Sequence, residues 1–246
     1  MKKIKWQIVL GVFLVSLSAV LYLIHYSIFR DPHHIFIYML GDIAFVPIEV
    51  LFVTLIIHKV ISEREKHVMM EKLNMVIGTF FSEVGTKLLK YFSKFDQNFE
   101  EMRNRLIVEN DWSEKDFLKI KKLIFDFNYS IDSGKGNLEE LKKFLIEKWN
   151  FLLRLLENPN LLEHESFTEL LWAVFHLAGE LANRDNVQKL SETDYEHLSN
   201  DIKRAYILLI SQWLDYMKHL KNRYPYLFSL AIRINPFKKE ASAEIK

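Results

Sequence analysis

The sequence predicts an all-α protein in which an N-terminal transmembrane helical hairpin precedes a cytoplasmic helical bundle. Glycine (7) and proline (5) are scarce among the 246 residues, so the tight turns of a β-sandwich or barrel have little to be built from. Half of the residues are hydrophobic, yet the mean hydropathy is only -0.02, because a strongly apolar beginning is averaged with a charged remainder. We therefore predict a hairpin over 1–62, a helical domain over 63–237 and a disordered tail over 238–246.

The first predicted span covers about residues 6–29, which contain no formal charge. At about 1.5 Å per residue this helix is about 36 Å long, enough to cross a hydrocarbon core about 30 Å thick. A cleaved signal peptide is the alternative, because three lysines precede the apolar run and the Ser-Leu-Ser sequence at 16–18 resembles a cleavage site. The run continues to Ile28, beyond that site, which favours a membrane span.

The second predicted span covers about residues 35–57 and is apolar except for Asp42 and Glu49. Pro32 is expected to stop helix propagation between the spans, so that the two form a hairpin. Lysine and arginine flank the outer ends of both spans, whereas the connection carries only Arg30. This charge distribution predicts a multi-pass protein of the cytoplasmic (inner) membrane with both termini in the cytoplasm.

The cytoplasmic part begins with a helical continuation of the second span, because no proline occurs between Pro47 and Pro159. Apolar residues recur along this segment at three- and four-residue spacing, which predicts one buried stripe. The stripe consists of Met69, Leu73, Val76, Phe80, Val84 and Leu88.

Capping residues mark further helices. Ser113 with Asp116, and Asn137 with Glu140, resemble capping boxes in front of apolar-periodic segments. Other predicted helices cover about 167–182, 193–222 and 224–234. The last is apolar nearly all round, so it either packs in the core or lies on the inner membrane surface. Five or six helices predict a bundle.

Asp42 and Glu49 are the most informative residues, because a carboxylate inside hydrocarbon is costly. Seven residues apart on a helix, they lie on one face, and Pro47 between them frees a backbone carbonyl. On the first span, Tyr22 and His25 belong to a stripe of small and polar residues at helical spacing. This stripe lies at the same depths in the membrane as the two carboxylates. These five residues are intramembrane candidates, either for a proton or cation site or for protonated hydrogen bonds that fix helix association.

Gly78 and Gly85 flank Glu83 in the continuation of the second span. Glycine inside a helix costs about 1 kcal/mol, which indicates that another helix packs closely here. Glu83 is then either a regulatory charge at a helix contact or a buried carboxylate satisfied by hydrogen bonds.

Composition excludes several kinds of chemistry. Without cysteine, the chain has no disulfide, no thiol nucleophile and no thiolate-bound metal. A net charge of +1 without a dominant basic run gives no electrostatic basis for nucleic-acid binding. No catalytic constellation is recognisable, so we expect neither an enzyme nor a cofactor.

Two pairs of residues four apart are candidate metal ligands, His176 with Glu180 and Asp215 with His219. Helical bundles assemble two-metal centres from such side chains, but their signature is a Glu-x-x-His pair on each of two helices. The nearest match here is a single Asp-x-x-His sequence at 194–197. We therefore expect solvated i,i+4 pairs and no metal at these positions.

Two blocks of sequence resemble a known family. They are GDIAFVPIEVLFVTLI with KLNMVIGTFFSEVG, and DYMKHLKNRYPYLFSLAIRINPF near the end of the chain. Both are similar to uncharacterised prokaryotic membrane proteins with two N-terminal spans and a helical cytoplasmic region. The resemblance implies a topology but no activity, so no catalytic residue is transferred. It does not extend to about residues 96–160.

We expect a membrane-anchored, non-enzymatic module that senses or scaffolds at the cytoplasmic face. Its expected partners are the lipid bilayer, further copies of the chain and an unidentified protein, but no nucleic acid. The alternative is a homo-oligomer that conducts protons or cations through Asp42 and Glu49. A stable monomer would exclude conduction, because two spans cannot enclose a pathway.

Overall fold

Helices make up the regular structure, and the all-α prediction is confirmed. The computed structural model describes residues 2–244, apart from the side chains at 2–5, 7, 67, 162 and 163. Within the described residues there is no strand, and Asp96 and Ile131 form an isolated β-bridge. The chain divides into two compact units, Met1–Lys66 and His67–Lys246.

The first unit contains helix α1 (Lys2–Phe29) and the start of helix α2 (Pro32–Phe80). The helix is interrupted at residues 30–31, directly before Pro32, and Pro32 is the first residue of α2. Proline fits the first turn of a helix, where its missing N–H has no partner to lose. Asp31 caps that turn, because its Oδ1 accepts hydrogen bonds from the backbone N–H groups of His33 (2.9 Å) and His34 (3.3 Å).

Both helices are long and apolar enough to cross a membrane by length and composition. One candidate segment is Ile8–Phe29, with a mean hydropathy of 2.4, and the other lies within the helical run Pro32–Ser93, with 2.2. No residue of either apolar window is buried in the described structure.

The second unit begins with the last turns of α2, a five-residue π-helix (Phe81–Gly85) and helix α3 (Thr86–Ser93). The predicted apolar stripe is found here: Leu73, Phe80, Val84 and Leu88 are buried, and Met69 and Val76 pack against them. In the π-helix one extra residue enters the turn, and the Thr86 hydroxyl donates to the carbonyl of Phe81 at 2.8 Å.

Short helices follow. They are α4 (Phe99–Arg103), a 3-10 turn (Asn104–Leu106), α5 (Glu114–Asp126), α6 (Leu138–Glu147), α7 (Trp149–Leu156) and a second 3-10 turn (Pro159–Glu163). The capping box at the start of α5 is confirmed: the Ser113 N–H donates to Asp116 at 2.7 Å, and Ser113 Oγ accepts from the Asp116 N–H. Asn137 Oδ1 caps α6 by accepting from the Glu140 N–H at 3.0 Å.

Three further helices complete the unit, α8 (Glu165–Ala182), α9 (Glu192–Arg223) and α10 (Pro225–Arg233). Helix α9 supplies the largest share of buried residues and packs against α8, α5, α3 and α10. The core is rich in aromatic side chains, with Phe80 edge-on to Phe167 (5.3 Å between ring centroids) and Phe81 stacked on Tyr216 (5.1 Å).

Helix α10 buries Phe228 but exposes Tyr226, Leu227 and Leu230, so only one side of this apolar helix joins the core. Residues 238–244 follow without a helix, and Arg233 Nε donates to the carbonyl of Ala243 at 3.2 Å. Residues 245 and 246, the end of the predicted disordered tail, lie outside the described residues.

Candidate functional site

Two i,i+4 pairs of ligand-type side chains meet where α8 passes α9. His176 and Glu180 are four residues apart on α8, and His197 and Asp201 are four apart on α9. This spacing places each pair on one face of its helix. Residues 183–191 join the two helices, so the end of α8 lies beside the beginning of α9.

The ligand atoms of these four side chains form a close group. His176 Nε2 lies 3.3 Å and His197 Nε2 lies 3.4 Å from the same Asp201 oxygen, Oδ2. Glu180 closes the group, with Oε2 3.5 Å from His197 Nε2 and Oε1 4.0 Å from His176 Nε2. The pairs cross in the order expected for neighbouring antiparallel helices, His176 opposite Asp201 and Glu180 opposite His197.

Asp201 is the buried member of the group, with only 4% of its surface exposed. Its Oδ2 atom is buried and accepts no hydrogen bond within the described structure. An ionised carboxylate oxygen in that position is costly unless a cation or a donor compensates it. The two histidine side chains beside this oxygen are about half exposed (48% and 51%).

Arginines hold the carboxylates from outside the group. Arg184 Nη1 donates to Glu180 Oε2 at 2.7 Å, and its Nη2 lies 2.6 Å from Asp194 Oδ1. The hydrogen bond from Arg184 lowers the pKa of Glu180 and keeps that side chain ionised. Arg204 Nη2 lies 3.9 Å from the other Asp201 oxygen, Oδ1.

Three of these residues, His176, Glu180 and His197, place their ligand atoms within 4.8 Å of one another, as a shared metal ion requires. Asp201 Oδ2 lies against both imidazoles and adds a fourth candidate ligand. Imidazole nitrogens and carboxylate oxygens together suit divalent first-row transition metals.

The other predicted ligand pair does not join this group. Asp215 lies 14 residues beyond Asp201, about 21 Å along α9 at 1.5 Å per residue. Its Oδ2 pairs with Lys121 Nζ at 2.5 Å. The His219 ring packs edge-on against Tyr224, and burial lowers the pKa of His219.

Sequence reasoning had named His176 and Glu180 but not Asp201. The expected signature is a Glu-x-x-His pair on each of two helices. The structure instead joins a His-x-x-x-Glu sequence on one helix to a His-x-x-x-Asp sequence on the next. That repeated spacing on consecutive helices was the available signal. Pairs at i,i+4 are common on solvated helix faces. The burial of Asp201 distinguishes these two pairs from such ordinary surface pairs.

The two predicted packing glycines differ in their surroundings. A Cβ added at Gly78 would contact the Tyr216 ring of α9 at 3.4 Å, an ordinary distance, so another helix does pack here. A Cβ at Gly85 would lie 2.6 Å from the Phe81 ring and 2.9 Å from the Phe80 ring. Gly85 therefore leaves room for two phenylalanine rings from the preceding turn of its own helical run, and not for a second helix.

Glu83 is an exposed residue, so the expectation of a buried carboxylate is not met. Its Oε2 accepts a hydrogen bond from Lys148 Nζ at 3.1 Å. The contact links the π-helix to the residue between α6 and α7. It is a solvent-exposed ion pair, which contributes little to stability.

Within the first unit, Asp42 and Glu49 are exposed on α2, and the helix continues through Pro47 between them. Tyr22 is also exposed, on α1. His25 stacks on the ring of His34 (5.9 Å between centroids), which brings α1 and α2 together near their connection.

The small residue Gly11 has no atom within 4 Å of an added Cβ, so the two helices do not approach closely there.

Comparisons with known proteins cover nearly the whole chain. Residues 69–233 match the family described as "Uncharacterized protein MJ1433, C-terminal helical domain", and residues 2–61 match "MJ1433, N-terminal helical domain". The uncharacterized protein MJ1433 of Methanocaldococcus jannaschii is 48% identical over 233 residues, which are 95% of this chain and 94% of that protein. No solved structure matches the chain.

Proposed function

The chain belongs to the family of the uncharacterized protein MJ1433, and from this premise we propose that it is an integral membrane protein with two spans. Helix α1 and the first part of α2 anchor it, and the second unit works at the cytoplasmic face. There it senses a signal or holds a partner protein, without catalysis of its own, as a homo-oligomer joined through the anchor.

The exposure of the apolar side chains in the first unit carries this proposal. Most of the exposed large hydrophobic side chains among the described residues lie between Trp6 and Ile61. They surround both helices, and none of the apolar window of either helix is buried among the described residues. Soluble monomers rarely expose contiguous apolar patches larger than a few hundred Å², so lipid is the environment that fits this surface.

The orientation follows from the charges. Lys59, Arg64 and Lys66 follow the second apolar segment, and three lysines precede the first. The connection between the helices carries only Arg30. Basic residues are retained on the cytoplasmic side of a membrane, so both ends of the hairpin face the cytoplasm.

Because the chain has no cysteine, single cysteines report topology without background. In intact cells a membrane-impermeant maleimide is expected to label His33→Cys, which is exposed in the first turn of α2, next to the connection between the helices. Ala241→Cys, near the end of the described chain, is expected to react only in inverted vesicles. The buried Ser211→Cys serves as the control that reacts only after denaturation.

Labelling of both exposed cysteines from the same side would contradict the two-span topology. Release of the protein from membranes by alkaline carbonate would contradict integration altogether. The scaffold function is tested separately, by cross-linking in intact cells and mass spectrometry of the captured proteins. Recovery of the chain alone would leave no partner for a scaffold to hold.

Conduction of protons or cations is the second candidate function. It is favoured by one observation, that Asp42 and Glu49 are exposed on the apolar part of α2, seven residues apart. In an oligomer such carboxylates would line a shared pathway. Cation flux into proteoliposomes is expected to fall in Asp42→Asn and Glu49→Gln. Equal background leak in all three proteins, or a monomer in nanodiscs, would contradict conduction.

A further inference from the structure

We infer that His176, Glu180, His197 and Asp201 form a binding site for one divalent first-row transition-metal ion, such as zinc, between α8 and α9. The site lies entirely within the second unit, so the inference does not depend on the membrane anchor. Nor does it require an oligomer, because both helices belong to one chain.

Three contacts between ligand atoms have lengths close to those around a tetrahedral ion. With bonds of about 2.0–2.1 Å from zinc to nitrogen or oxygen, the ligand atoms of a tetrahedron are about 3.3–3.4 Å apart. The observed separations are 3.3 and 3.4 Å from Asp201 Oδ2 to the two histidine nitrogens, and 3.5 Å from His197 Nε2 to Glu180. The contact from His176 Nε2 to Glu180 is longer, at 4.0 Å, and involves the other carboxylate oxygen, Oε1. His176, Glu180 and His197 already place their ligand atoms within 4.8 Å of one another, and the Asp201 and Glu180 side chains would turn toward each other to share one ion.

Hydrogen bonding does not explain the same arrangement. An N–H group that donates to a carboxylate normally lies about 2.7–2.9 Å from the oxygen. Both imidazole nitrogens are further away than this, and Asp201 Oδ2 accepts no hydrogen bond within the described residues. Two ring nitrogens thus lie at ion-pair distance from a buried oxygen without well-formed hydrogen bonds, an arrangement that a bound cation would complete.

The charges around the site also suit a divalent cation. Two ionised carboxylates balance the ion, and both histidines bind it as neutral imidazoles. Arg184 orients Glu180 by a hydrogen bond and is itself held by Asp194. Such outer partners fix ligand orientation in metal sites. The exposed histidine edges give the ion a route from solvent.

A metal ion here would join the end of α8 to the start of α9. The connection between the two helices, residues 183–191, is already closed by the Arg184–Asp194 ion pair. A ligand that binds only the folded form stabilises it by mass action. The unfolding temperature of the protein is therefore expected to rise with zinc concentration.

The test uses the full-length, untagged protein in detergent, stripped with a chelator and titrated with Co²⁺ and then Zn²⁺. We expect one Co²⁺ per chain with the intense visible absorption of a low-coordinate site, displaced by one Zn²⁺. Asp201→Asn and His197→Gln are each expected to weaken binding by at least tenfold, since loss of a mere outer partner costs about 10–100-fold. His197 is half exposed, so its variant tests the site even if Asp201→Asn does not fold.

His219→Gln is the matched control, because it removes a histidine from the same helix outside the site and is expected to bind as the unaltered protein does. Absence of stoichiometric Co²⁺ or Zn²⁺ binding would overturn the inference. Equal affinity in His197→Gln and His219→Gln would overturn it too, because the metal would then bind elsewhere.

Discussion

Two buried aspartates show how the surroundings of one residue type decide its role. Asp96 Oδ1 accepts hydrogen bonds from the N–H groups of Asn98 (3.0 Å) and Ser130 (3.2 Å), so it ties the segment after α3 to the segment after α5. Asp201 Oδ2 instead faces two imidazoles. Both residues have a buried Oδ2 atom that accepts no hydrogen bond within the described residues. Asp96 binds backbone donors through its other oxygen, whereas Asp201 Oδ2 lies against two ring nitrogens that could share a cation with it.

Asp96 makes the pH dependence of stability testable. Burial raises its pKa above the ordinary value, so the folded state holds this proton more tightly than the unfolded state does. The contribution of Asp96 to the free energy of unfolding is then greatest at low pH. It falls as pH rises from about 4, the ordinary value of an unfolded chain, through the higher pKa of Asp96 in the folded state. Asp96→Asn keeps the Oδ1 acceptor and carries no charge.

We expect Asp96→Asn to unfold about 2–4 °C higher than the unaltered protein at pH 7, as for a gain of about 1 kcal/mol. Below about pH 4 the difference is expected to vanish. Circular dichroism of the detergent-solubilised chain measures both temperatures. A variant that is less stable at pH 7 would show that the ionised carboxylate is required.

His164 has the opposite sign of pH dependence to Asp96. It caps α8, because its Nδ1 accepts a hydrogen bond from the Phe167 N–H at 3.2 Å, and burial lowers its pKa. As pH falls, the unfolded state therefore takes up the proton first, near pH 6.5. The stability that neutral His164 contributes is fully present above that pH and is lost as pH falls from there through the lower pKa of the folded state.

Replacement of this cap by asparagine separates capping from protonation. His164→Asn is expected to match the unaltered protein at pH 7.5 and to lose less stability on acidification to pH 5, since asparagine caps without titrating. His58→Gln, an exposed histidine on α2, is the control and should leave the acid loss unchanged. Identical pH profiles for His164→Asn and the unaltered chain would refute this role.

At the scale of elements, the sequence predicted the long helices, the nine-residue α10 and the starts of α5 and α6, and it missed the five-residue α4. Helices α8 and α9 were predicted within two residues of their observed ends, because their apolar spacing persists over several turns. Helix α4 has five residues, too few for a period to show. The π-helix was also missed, because no residue pattern marks an inserted residue; only the close glycines hinted at unusual packing.

The two glycines beside the π-helix allow a direct test of its packing. Gly85→Ala places a Cβ 2.6 Å from Phe81 and 2.9 Å from Phe80. Neither ring is free to move, because Phe80 packs on Phe167 and Phe81 on Tyr216. We expect a loss of about 1–3 kcal/mol, as for other overpacked cores.

Gly78→Ala is the matched control, since its Cβ finds an ordinary contact at 3.4 Å. It is expected to gain up to about 1 kcal/mol from the better helix propensity of alanine. Measured side by side, the unfolding temperature is expected to be lower in Gly85→Ala and higher in Gly78→Ala than in the unaltered chain. If Gly85→Ala is as stable as Gly78→Ala, the π-turn does not constrain this residue.

At the scale of the whole molecule, composition separates an apolar N-terminal segment from a charged helical remainder, and the contacts divide the chain into two units after Lys66. That much was predictable because hydropathy and helical period act locally along the chain. The meeting of His176 with Asp201 depends on how α8 and α9 pack, which no local pattern specifies. The site therefore emerged only with the tertiary structure.

The division of the chain makes one further prediction, that residues 67–246 fold without the preceding segment. Every buried hydrophobic residue described lies at or beyond Leu73, so the truncation removes no core side chain. The fragment is expected to sediment as a soluble species and to melt cooperatively. Leu209→Ala in the fragment is the control: it deletes a fully buried side chain and should cost about 2–5 kcal/mol, which lowers the melting temperature. An aggregated fragment, or a melt without a cooperative transition, would show that the domain needs the N-terminal helices to fold.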